Sequence, residues 1–241
     1  MKKFELLNFA NADDLAKAAA SAWLDEIESA SRAARKFCVA LSGGRVVQNF
    51  FAATVGQAKN RKTSFTTVHF FWADERCVPP SDAESNFKEA STLLLEPLKI
   101  PANQIHRLLG EDSPEAAVAK ATAELRQVVP PEVGGQSVLD LVLLGMGEDG
   151  HVASLFPNAT SQILDSTDPF LAIANSPKPP ARRISLSYAA IAAAKQVWAL
   201  VSGAGKAAAL RASLDPGGVT PLARVMRSRA QFKIFSDIRL D

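Results

Sequence analysis

Short apolar segments alternate with longer, alanine-rich segments along most of the chain. Five short segments, rich in β-branched and aromatic residues, predict strands: Phe37–Leu41, Thr67–Trp72, Val138–Leu144, Phe170–Ala174 and Gln196–Val201. Six longer segments predict helices: Ala12–Ala34, Arg45–Ala58, Asn86–Leu95, Pro114–Val128, Tyr188–Ala194 and Gly205–Leu214. Several of the strands are apolar at every position, which is typical of parallel strands covered by helices on both faces.

This alternation of strands and helices predicts an α/β fold with a doubly wound, mostly parallel sheet and helices on both faces. Two breaks rich in proline or glycine, at residues 130–135 and 177–180, are the strongest candidates for domain boundaries. Since predicted strands follow both breaks, we expect loops within a single domain over residues 1–241. In such a sheet, ligands bind beyond the carboxyl ends of the strands, and polar loops follow four of the predicted strands.

The composition limits the classes of function. The chain has 241 residues, of which 47% are hydrophobic, and this is enough for a buried core. Lys and Arg number 27 against 25 Asp and Glu, and a net charge of +2 is too small for a dedicated nucleic-acid or membrane-surface binder. Cys38 and Cys77 are far apart and form no CxxC, so the sequence predicts neither a zinc site nor a disulfide framework. We see no signal peptide or membrane span and expect a cytoplasmic protein.

The first two polar loops carry glycine and charge. Ser42-Gly43-Gly44 follows a strand and opens a helix; paired glycines present N–H groups to an anion, although a plain strand-to-helix turn explains them equally well. Asp74-Glu75-Arg76 concentrates charge after the next strand. Either it forms a surface ion pair, with Asn86 capping a helix, or Arg76 faces a phosphate and Asp74 holds Arg76 or the substrate.

The third loop, Gly145–Gly150, contains a GxGxxG pattern and is followed by His151. We do not interpret it as a dinucleotide site, because Glu148 and Asp149 would repel a pyrophosphate and Pro157 prevents a long helix. Imidazole titrates near neutrality, so His151 can transfer a proton. Asp149 is close enough in a tight turn to orient the imidazole. The loop therefore predicts an acid–base pair at a strand end.

The fourth region contains Arg182 and Arg183 before a polar strand and Lys206 after a pair of glycines. A P-loop is excluded, because Leu200 stands where that motif requires glycine and Ala207 replaces its Ser or Thr. A lysine that opens a helix after glycines still suits a phosphate monoester. For one of the two arginines we expect only solvation of a strand start.

The remaining reactive residues are interpreted as structural. Cys77 has no nearby histidine to generate a thiolate, so packing explains it better than nucleophilic catalysis. His69 lies in an apolar strand and His106 in a segment flanked by Pro and Asn. A metal hydrolase is disfavoured, because one loop histidine without an HxxxH or HxH partner is a poor ligand set.

Together these motifs resemble those of the 6-phosphogluconolactonases. Five groups occur in the same order over almost the whole chain: SGG at 42–44; DER at 74–76 with VP at 78–79 and SN at 85–86; GMGEDGH at 145–151 with ASLFP at 153–157; RISLS at 183–187; and GAGK at 203–206. The resemblance implies a Rossmann-like α/β fold shared with the glucosamine-6-phosphate deaminases. It also implies hydrolysis of 6-phospho-D-glucono-1,5-lactone to 6-phosphogluconate, in the oxidative pentose phosphate pathway, with no required cofactor.

The resemblance also implies roles for individual residues. His151 becomes the general base, with Asp149 beside it. The candidates for phosphate and substrate binding are Ser42, Gly43, Gly44, Asp74, Arg76, Arg183 and Lys206. The chain departs from the family at Arg45, where a small hydroxyl residue is usual, and at Val152, where Thr is usual. Arg45 is a candidate to replace the hydroxyl contact with charge, and Arg45 and Arg182 remain alternative phosphate ligands.

Two other functions compete with this interpretation. A sugar-phosphate deaminase or isomerase on the same fold is disfavoured, because the residues after Asp74-Glu75 and after His151 are similar to the lactonase branch. A non-catalytic sugar-phosphate sensor would need neither Asp149 nor His151. The expected partner is a small sugar-phosphate lactone, without nucleic acid or membrane, and the expected assembly is a monomer or a small homo-oligomer.

Overall fold

The computed structural model describes residues 4–132, 135–229 and 231–240. Within these ranges the chain forms nine strands and eight α-helices. In chain order they are β1 (Glu5–Asn8), α1 (Ala12–Arg32), β2 (Phe37–Leu41), α2 (Arg45–Arg61), β3 (Val68–Trp72), β4 (Asp74–Arg76), α3 (Asn86–Ala90), α4 (Pro114–Val128), β5 (Leu141–Gly145), α5 (Ser161–Leu164), β6 (Phe170–Ile173), β7 (Arg183–Leu186), α6 (Tyr188–Ala193), β8 (Gln196–Val201), α7 (Ala207–Leu214), α8 (Pro221–Arg227) and β9 (Lys233–Ser236).

Six strands form one parallel sheet in the order β1-β9-β8-β5-β2-β3. This arrangement confirms the predicted α/β class and the mostly parallel sheet. From β2 the chain first adds β3 on one side and later β5, β8 and β9 on the other. The winding therefore reverses between β2 and β5, and the loops that follow these two strands diverge from a crevice where ligands bind in folds of this type.

A second, antiparallel sheet was not predicted. It contains β4, β7 and β6 in that order. Asp74-Glu75-Arg76, predicted as a loop, is strand β4, and the predicted strand Phe170–Ala174 pairs here instead of in the parallel sheet. Ala73 joins the two sheets, since its N–H donates to Leu41 in β2 (2.7 Å) and its carbonyl accepts from Leu186 in β7 (2.7 Å).

Other differences from the sequence expectations lie at element ends. The predicted strand Val138–Leu144 begins only at Leu141, because the Asp140 carboxylate takes the Cys38 N–H (2.8 Å) just before the ladder starts. The predicted helix Asn86–Leu95 consists of α3 and one following π-helical turn. The short strands β1 and β9 were missed; they pair with each other at one edge of the sheet.

The core lies on both faces of the parallel sheet and beneath the small sheet. Trp23 of α1, Trp72 of β3 and Trp198 of β8 are its largest buried side chains. Trp23 contacts the Phe50 ring of α2 at a centroid distance of 5.3 Å, so the two long helices pack together on one face. Burial of a large aromatic side chain stabilises the fold by about 1.5–3 kcal/mol. Among the described residues, no helix is both long and apolar enough to cross a membrane.

Candidate active site

A cleft opens at the carboxyl ends of β2 and β5, where the winding of the sheet reverses. Its cavity volume is about 160 Å³, and it opens to solvent on one side. The lining residues come from six separate segments: Ser42, Gly43, Gly44, Arg45, Val46, Asp74, Arg76, Asn86, Gly145, Met146, Gly147, His151, Ala153, Arg183 and Lys206. All the site residues predicted from sequence line this cleft except Asp149, which contacts His151 directly.

His151 and Asp149 form a hydrogen-bonded pair within one tight turn. The Nδ1 atom of His151 lies 2.5 Å from Oδ1 of Asp149, and the same oxygen accepts the backbone N–H of His151 at 3.3 Å. The imidazole also packs on the Phe156 ring, with centroids 4.6 Å apart, and remains 16% exposed. With Nδ1 bonded to the carboxylate, the nitrogen left for chemistry in the cleft is Nε2.

The environment keeps His151 neutral and Asp149 ionised. Burial lowers the pKa of His151 below its usual value, against the opposing effect of Asp149, and the Lys178 charge lowers it further. Burial raises the pKa of Asp149, but the hydrogen bond and charge of His151 outweigh it and the pKa is lowered overall. The Nζ of Lys178 lies 3.8 Å from Asp149 Oδ1. A neutral imidazole beside an ionised carboxylate can accept a proton.

Two glycines permit close approaches that any side chain would prevent. A Cβ at Gly147 would lie 2.1 Å from Nδ1 and Cε1 of His151, so the His–Asp pair requires glycine there. A Cβ at Gly43 would lie 2.1 Å from the amide oxygen of Asn86. Both glycines therefore serve local packing of the cleft wall, in addition to any contact with a ligand.

Asp74 lies at the centre of a buried polar network. It is only 5% exposed, and its Oδ2 accepts from the Ser154 hydroxyl at 2.7 Å. The Asn86 amide donates to the Asp74 carbonyl at 2.9 Å and to its Oδ1 at 3.4 Å. Asp74 does not pair with Arg76, as one sequence hypothesis had it; among the described residues, Arg76 instead contacts Glu84. Asp74 is thus held by neutral donors and faces the cleft as an acceptor.

Glu75 has a structural role that the sequence did not reveal. Its buried carboxylate accepts the backbone N–H groups of Arg76 (2.7 Å), Asn86 (2.8 Å) and Phe87 (2.8 Å), and the Ser85 hydroxyl (3.0 Å). Burial raises the pKa of Glu75, and these hydrogen bonds oppose the rise. Because Ser85 is the N-cap of α3, Glu75 ties the start of that helix to β4. Asn86 does not cap the helix; its side chain contacts Asp74.

The two arginines of the small sheet lie opposite each other, Arg76 on β4 and Arg183 on β7. Arg183 is 4% exposed and packs over the Phe156 ring at 5.6 Å. Its guanidinium donates to three carbonyl groups at residues 178–180, at 3.1–3.2 Å, and reaches the Ser154 hydroxyl at 3.5 Å. Burial lowers the pKa of Arg183, and the Asp74 charge opposes this. Arg76 donates to the Glu84 carbonyl.

Two further cations, Arg45 and Lys206, also line the cleft. Arg45 is the first residue of α2 and Lys206 ends the turn before α7. Burial lowers the pKa of Lys206, and repulsion from Arg45 lowers it further. Arg182 is exposed and, among the described residues, is not part of the cleft lining. Of the two alternative arginines left open by the sequence, only Arg45 reaches the cleft.

Three further side chains complete the description of this region. The Ser42 hydroxyl donates to the Leu143 carbonyl at 2.9 Å, so this donor is already used between β2 and β5. Glu89 accepts the Gly44 N–H at 3.2 Å and the Gln48 amide at 3.2 Å, and burial raises its pKa. Sequence reasoning missed Glu89 because it is one of several charges on a helical segment.

The residues interpreted as structural lie outside the cleft. His69 and His106 contact each other through ring nitrogens at 2.9 Å, and His106 contacts Glu124 at 2.8 Å. Burial raises the pKa of the Cys77 thiol, which disfavours a thiolate. In the described part of the chain, no group of three or more His, Cys, Asp or Glu is arranged to hold a metal ion.

Comparison with known proteins places the chain in a family. The profile described as glucosamine-6-phosphate isomerases/6-phosphogluconolactonase matches residues 10–234. The 6-phosphogluconolactonase of Mycobacterium tuberculosis is 36% identical over 220 residues, covering 89% of this chain and 86% of that protein. That of Haemophilus influenzae is 38% identical over 173 residues, covering 72% and 71%.

Solved structures agree with this assignment. A structure of the devB protein superposes with a TM-score of 0.85 at 32% identity, covering 97% of this chain and 96% of that one. The 6-phosphogluconolactonase of Trypanosoma brucei superposes with a TM-score of 0.85 at 25% identity, covering 98% and 97%. The chain therefore belongs to the family of glucosamine-6-phosphate isomerases and 6-phosphogluconolactonases.

Proposed function

We infer that the chain is a 6-phosphogluconolactonase, which hydrolyses 6-phospho-D-glucono-1,5-lactone to 6-phospho-D-gluconate in the pentose phosphate pathway. Family membership supports this function, as do relatives of that name at 34–38% identity over most of the chain. The observation that carries the inference is the His151–Asp149 pair at the wall of a cleft lined by several cations. Hydrolysis of a lactone needs a base to activate water, and binding of a sugar phosphate needs positive charge to hold the phosphate group.

In the proposed mechanism, Nε2 of His151 removes a proton from a water molecule as its oxygen attacks the lactone carbonyl carbon. The carbonyl π-electron pair moves to oxygen and forms a tetrahedral oxyanion. When the carbonyl re-forms, the bond to the ring oxygen breaks, and that oxygen takes the proton back from the imidazolium. Asp149 accepts a hydrogen bond from Nδ1–H throughout and stabilises the cationic ring without taking its proton. Such base catalysis contributes about 10²–10⁴-fold.

The oxyanion needs donors that are not already used. The N–H of Gly44 donates to Glu89, and the N–H groups of Gly147 and Gly150 donate to carbonyls within their own turn. Among the described residues, the Gly43 N–H has no intramolecular acceptor. We therefore propose the N–H of Gly43 as a donor to the oxyanion, because it is unused whereas those of Gly44, Gly147 and Gly150 are engaged.

The remaining polar residues are proposed to bind the substrate. Asp74, held by Ser154 and Asn86, offers a carboxylate that can accept a sugar hydroxyl. Arg76, Arg183 and Lys206 provide positive charge for the phosphate, which carries nearly two negative charges at neutral pH. The reaction consumes the lactone and one water molecule, and the proton that His151 gives to the ring oxygen is the one it removed from that water.

Two broader expectations belong to the same proposal. We propose a single domain over residues 1–241, because Phe170 and Leu186 of the small sheet belong to the same buried cluster as Leu143 of the large one. We also propose a cytoplasmic setting, since Cys38 and Cys77 are both free thiols and reduced cysteines are usual there.

The proposed function is tested with freshly generated 6-phosphogluconolactone. The protein should accelerate acid release and 6-phosphogluconate formation above the spontaneous rate, and His151→Ala should reduce kcat by about 10²–10⁴-fold without loss of folding. Lys120→Gln, at an exposed ion pair that is not part of the cleft lining, serves as the control variant. Ammonia release from glucosamine 6-phosphate, without lactone hydrolysis, would instead identify a deaminase and overturn the proposal.

A further inference from the structure

A second groove lies at the end of the parallel sheet opposite to the cleft. It is bounded by the last turn of α2, by the segment before β3 and by residues 97–104. Helix α2 begins at the cleft and ends at this groove, so its 17 residues separate the two by about 25 Å. The groove has a cavity volume of about 400 Å³, which lies in the range of small-molecule sites, and no residue lines both it and the cleft.

The floor of the groove is apolar. Phe65 is buried and belongs to the main hydrophobic cluster, and Leu98 and Ile100 are half-buried and pack against that cluster. Two prolines, Pro97 and Pro101, also line the groove. An apolar ligand group placed on this floor would be removed from water, and the hydrophobic effect would favour its binding.

One buried hydrogen-bond acceptor is available in this groove. Gln104 lines it and is only 5% exposed, and its Nε2 donates to the Phe65 carbonyl at 2.7 Å and to the Val68 carbonyl. These two bonds fix the orientation of the amide, because an amide oxygen cannot donate to a carbonyl. No group among the described residues donates to its Oε1, and this oxygen is not sealed from solvent. A ligand N–H or O–H group would complete the bonding of the amide.

Three exposed lysines surround the apolar floor, Lys59 and Lys62 at the end of α2 and Lys99 on the other segment. Among the described residues, no carboxylate oxygen lies within 4.0 Å of their ammonium groups. Cations at a helix C-terminus complement the partial negative charge there, which accounts in part for Lys59 and Lys62. The groove nevertheless has positive charge from two separate segments, which suits an anion.

Two of these lysines have a backbone conformation that favours glycine. The φ angle is +56° at Lys62 and +55° at Lys99. Lys62 is the C-cap of α2, and glycine is the usual left-handed residue at a helix end. A residue with a Cβ is disfavoured in this region, so lysine at both positions has a cost in stability that no ion pair among the described residues offsets. A bound anion that contacts both lysines would account for them.

We propose that this groove is a second binding site, and that it takes a purine nucleoside monophosphate. The base lies on the apolar floor, and its exocyclic amine donates to Oε1 of Gln104. The phosphate carries nearly two negative charges at neutral pH and lies between Lys62 and Lys99. This class of ligand combines an apolar body, an N–H donor and a dianion, and these are the three features that the groove matches. The site is separate from the cleft and does not depend on the proposed lactonase function.

The test uses adenosine monophosphate (AMP) as the probe and measures its binding by calorimetry. The wild type should bind one equivalent, and Lys62→Gln and Lys99→Gln should each raise the Kd about tenfold. Lys120→Gln, an exposed lysine that does not line the groove, should match the wild type.

Two related ligands test the other contacts. Adenosine lacks the phosphate, and dimethyladenosine monophosphate lacks the N–H groups of the exocyclic amine. Each should bind more weakly than AMP by about tenfold. This comparison leaves Gln104 in place, which is necessary because its Nε2 bonds hold the segment before β3.

Three results would overturn the proposal: no saturable binding of AMP at millimolar concentration, equal binding by the wild type and both glutamine variants, or binding of inorganic phosphate as tight as that of AMP. Lys62→Gly and Lys99→Gly separate binding from folding. Glycine suits the backbone at both positions, so the melting temperature should not fall while AMP binding weakens. A lower melting temperature with unchanged AMP binding would mean that these lysines only support the fold.

Discussion

At the scale of single residues, the pKa of His151 depends on the charges of neighbouring residues. Asp149 raises the pKa of the imidazole through its hydrogen bond and charge, and Lys178 lowers it. The negative charge of Asp74 also raises the pKa of His151. Since burial dominates, the pKa is lowered overall, and the imidazole remains a free base at pH values where an ordinary histidine is half protonated.

This balance predicts a shifted pH profile for one variant. Lys178→Gln removes a positive charge near Asp149, so the pKa of His151 should rise and the acid limb of kcat/KM should move to higher pH. Lys120→Gln provides an exposed control of the same charge change. The measurement is kcat/KM from about pH 5 to 8, the range in which imidazole titrates. An acid limb at the wild-type position would show that Lys178 exerts no influence on the base.

Asp149 is expected to act through His151 and not through the fold. Asp149→Asn keeps the size of the side chain but loses the charge that stabilises the imidazolium, so kcat should fall while KM for the phospholactone changes little. Asp149 is about a third exposed, and the melting temperature should therefore stay close to that of the wild type. A large loss of stability with full activity of the folded fraction would mean a structural role instead.

At the scale of elements, the junction between β4 and α3 depends on the buried Glu75. Each of its oxygens accepts two donors, so Glu75→Gln would place an amide N–H₂ against groups that are themselves donors. We expect a loss of about 1.5–3 kcal/mol in the free energy of unfolding, measured with urea. Glu115→Gln, in the exposed first turn of α4, should cost less than about 1 kcal/mol.

The elements also show which helices and strands can be predicted from local sequence patterns. The helix Pro114–Val128 was predicted with both ends correct, because Ser113 and Pro114 are local start signals. The small sheet was not predicted, because its strands have four or fewer residues and the pairing of β4 with β7 joins segments about 110 residues apart along the chain. The segment Phe170–Ala174 was predicted as a strand, but in β4 and β7 the hydrophobic pattern is too short to distinguish a strand from a loop.

At the scale of the whole molecule, the cleft collects residues from both sheets, so a ligand that bridges them should stabilise the entire fold. Adding 6-phosphogluconate at about 100 times its Kd should increase the free energy of unfolding by about 2.7 kcal/mol, seen as a higher melting temperature. Gluconate, which lacks the phosphate, should have a much smaller effect at equal concentration. Equal shifts with the two compounds would argue against any phosphate subsite in the cleft.

Local sequence alone determined the alternation of strands and helices that builds the parallel sheet, and it determined the pairing of His151 with Asp149. Both follow from spacing over a few residues. Only the tertiary structure decided what the charged side chains bind. Asp74 and Ser154 are 80 positions apart in the sequence, and Arg183 is tied to its own preceding loop while Arg45 is left open to the cleft. The partner of each charged side chain depends on burial and on the competing groups that folding brings together. No short sequence pattern predicts these contacts.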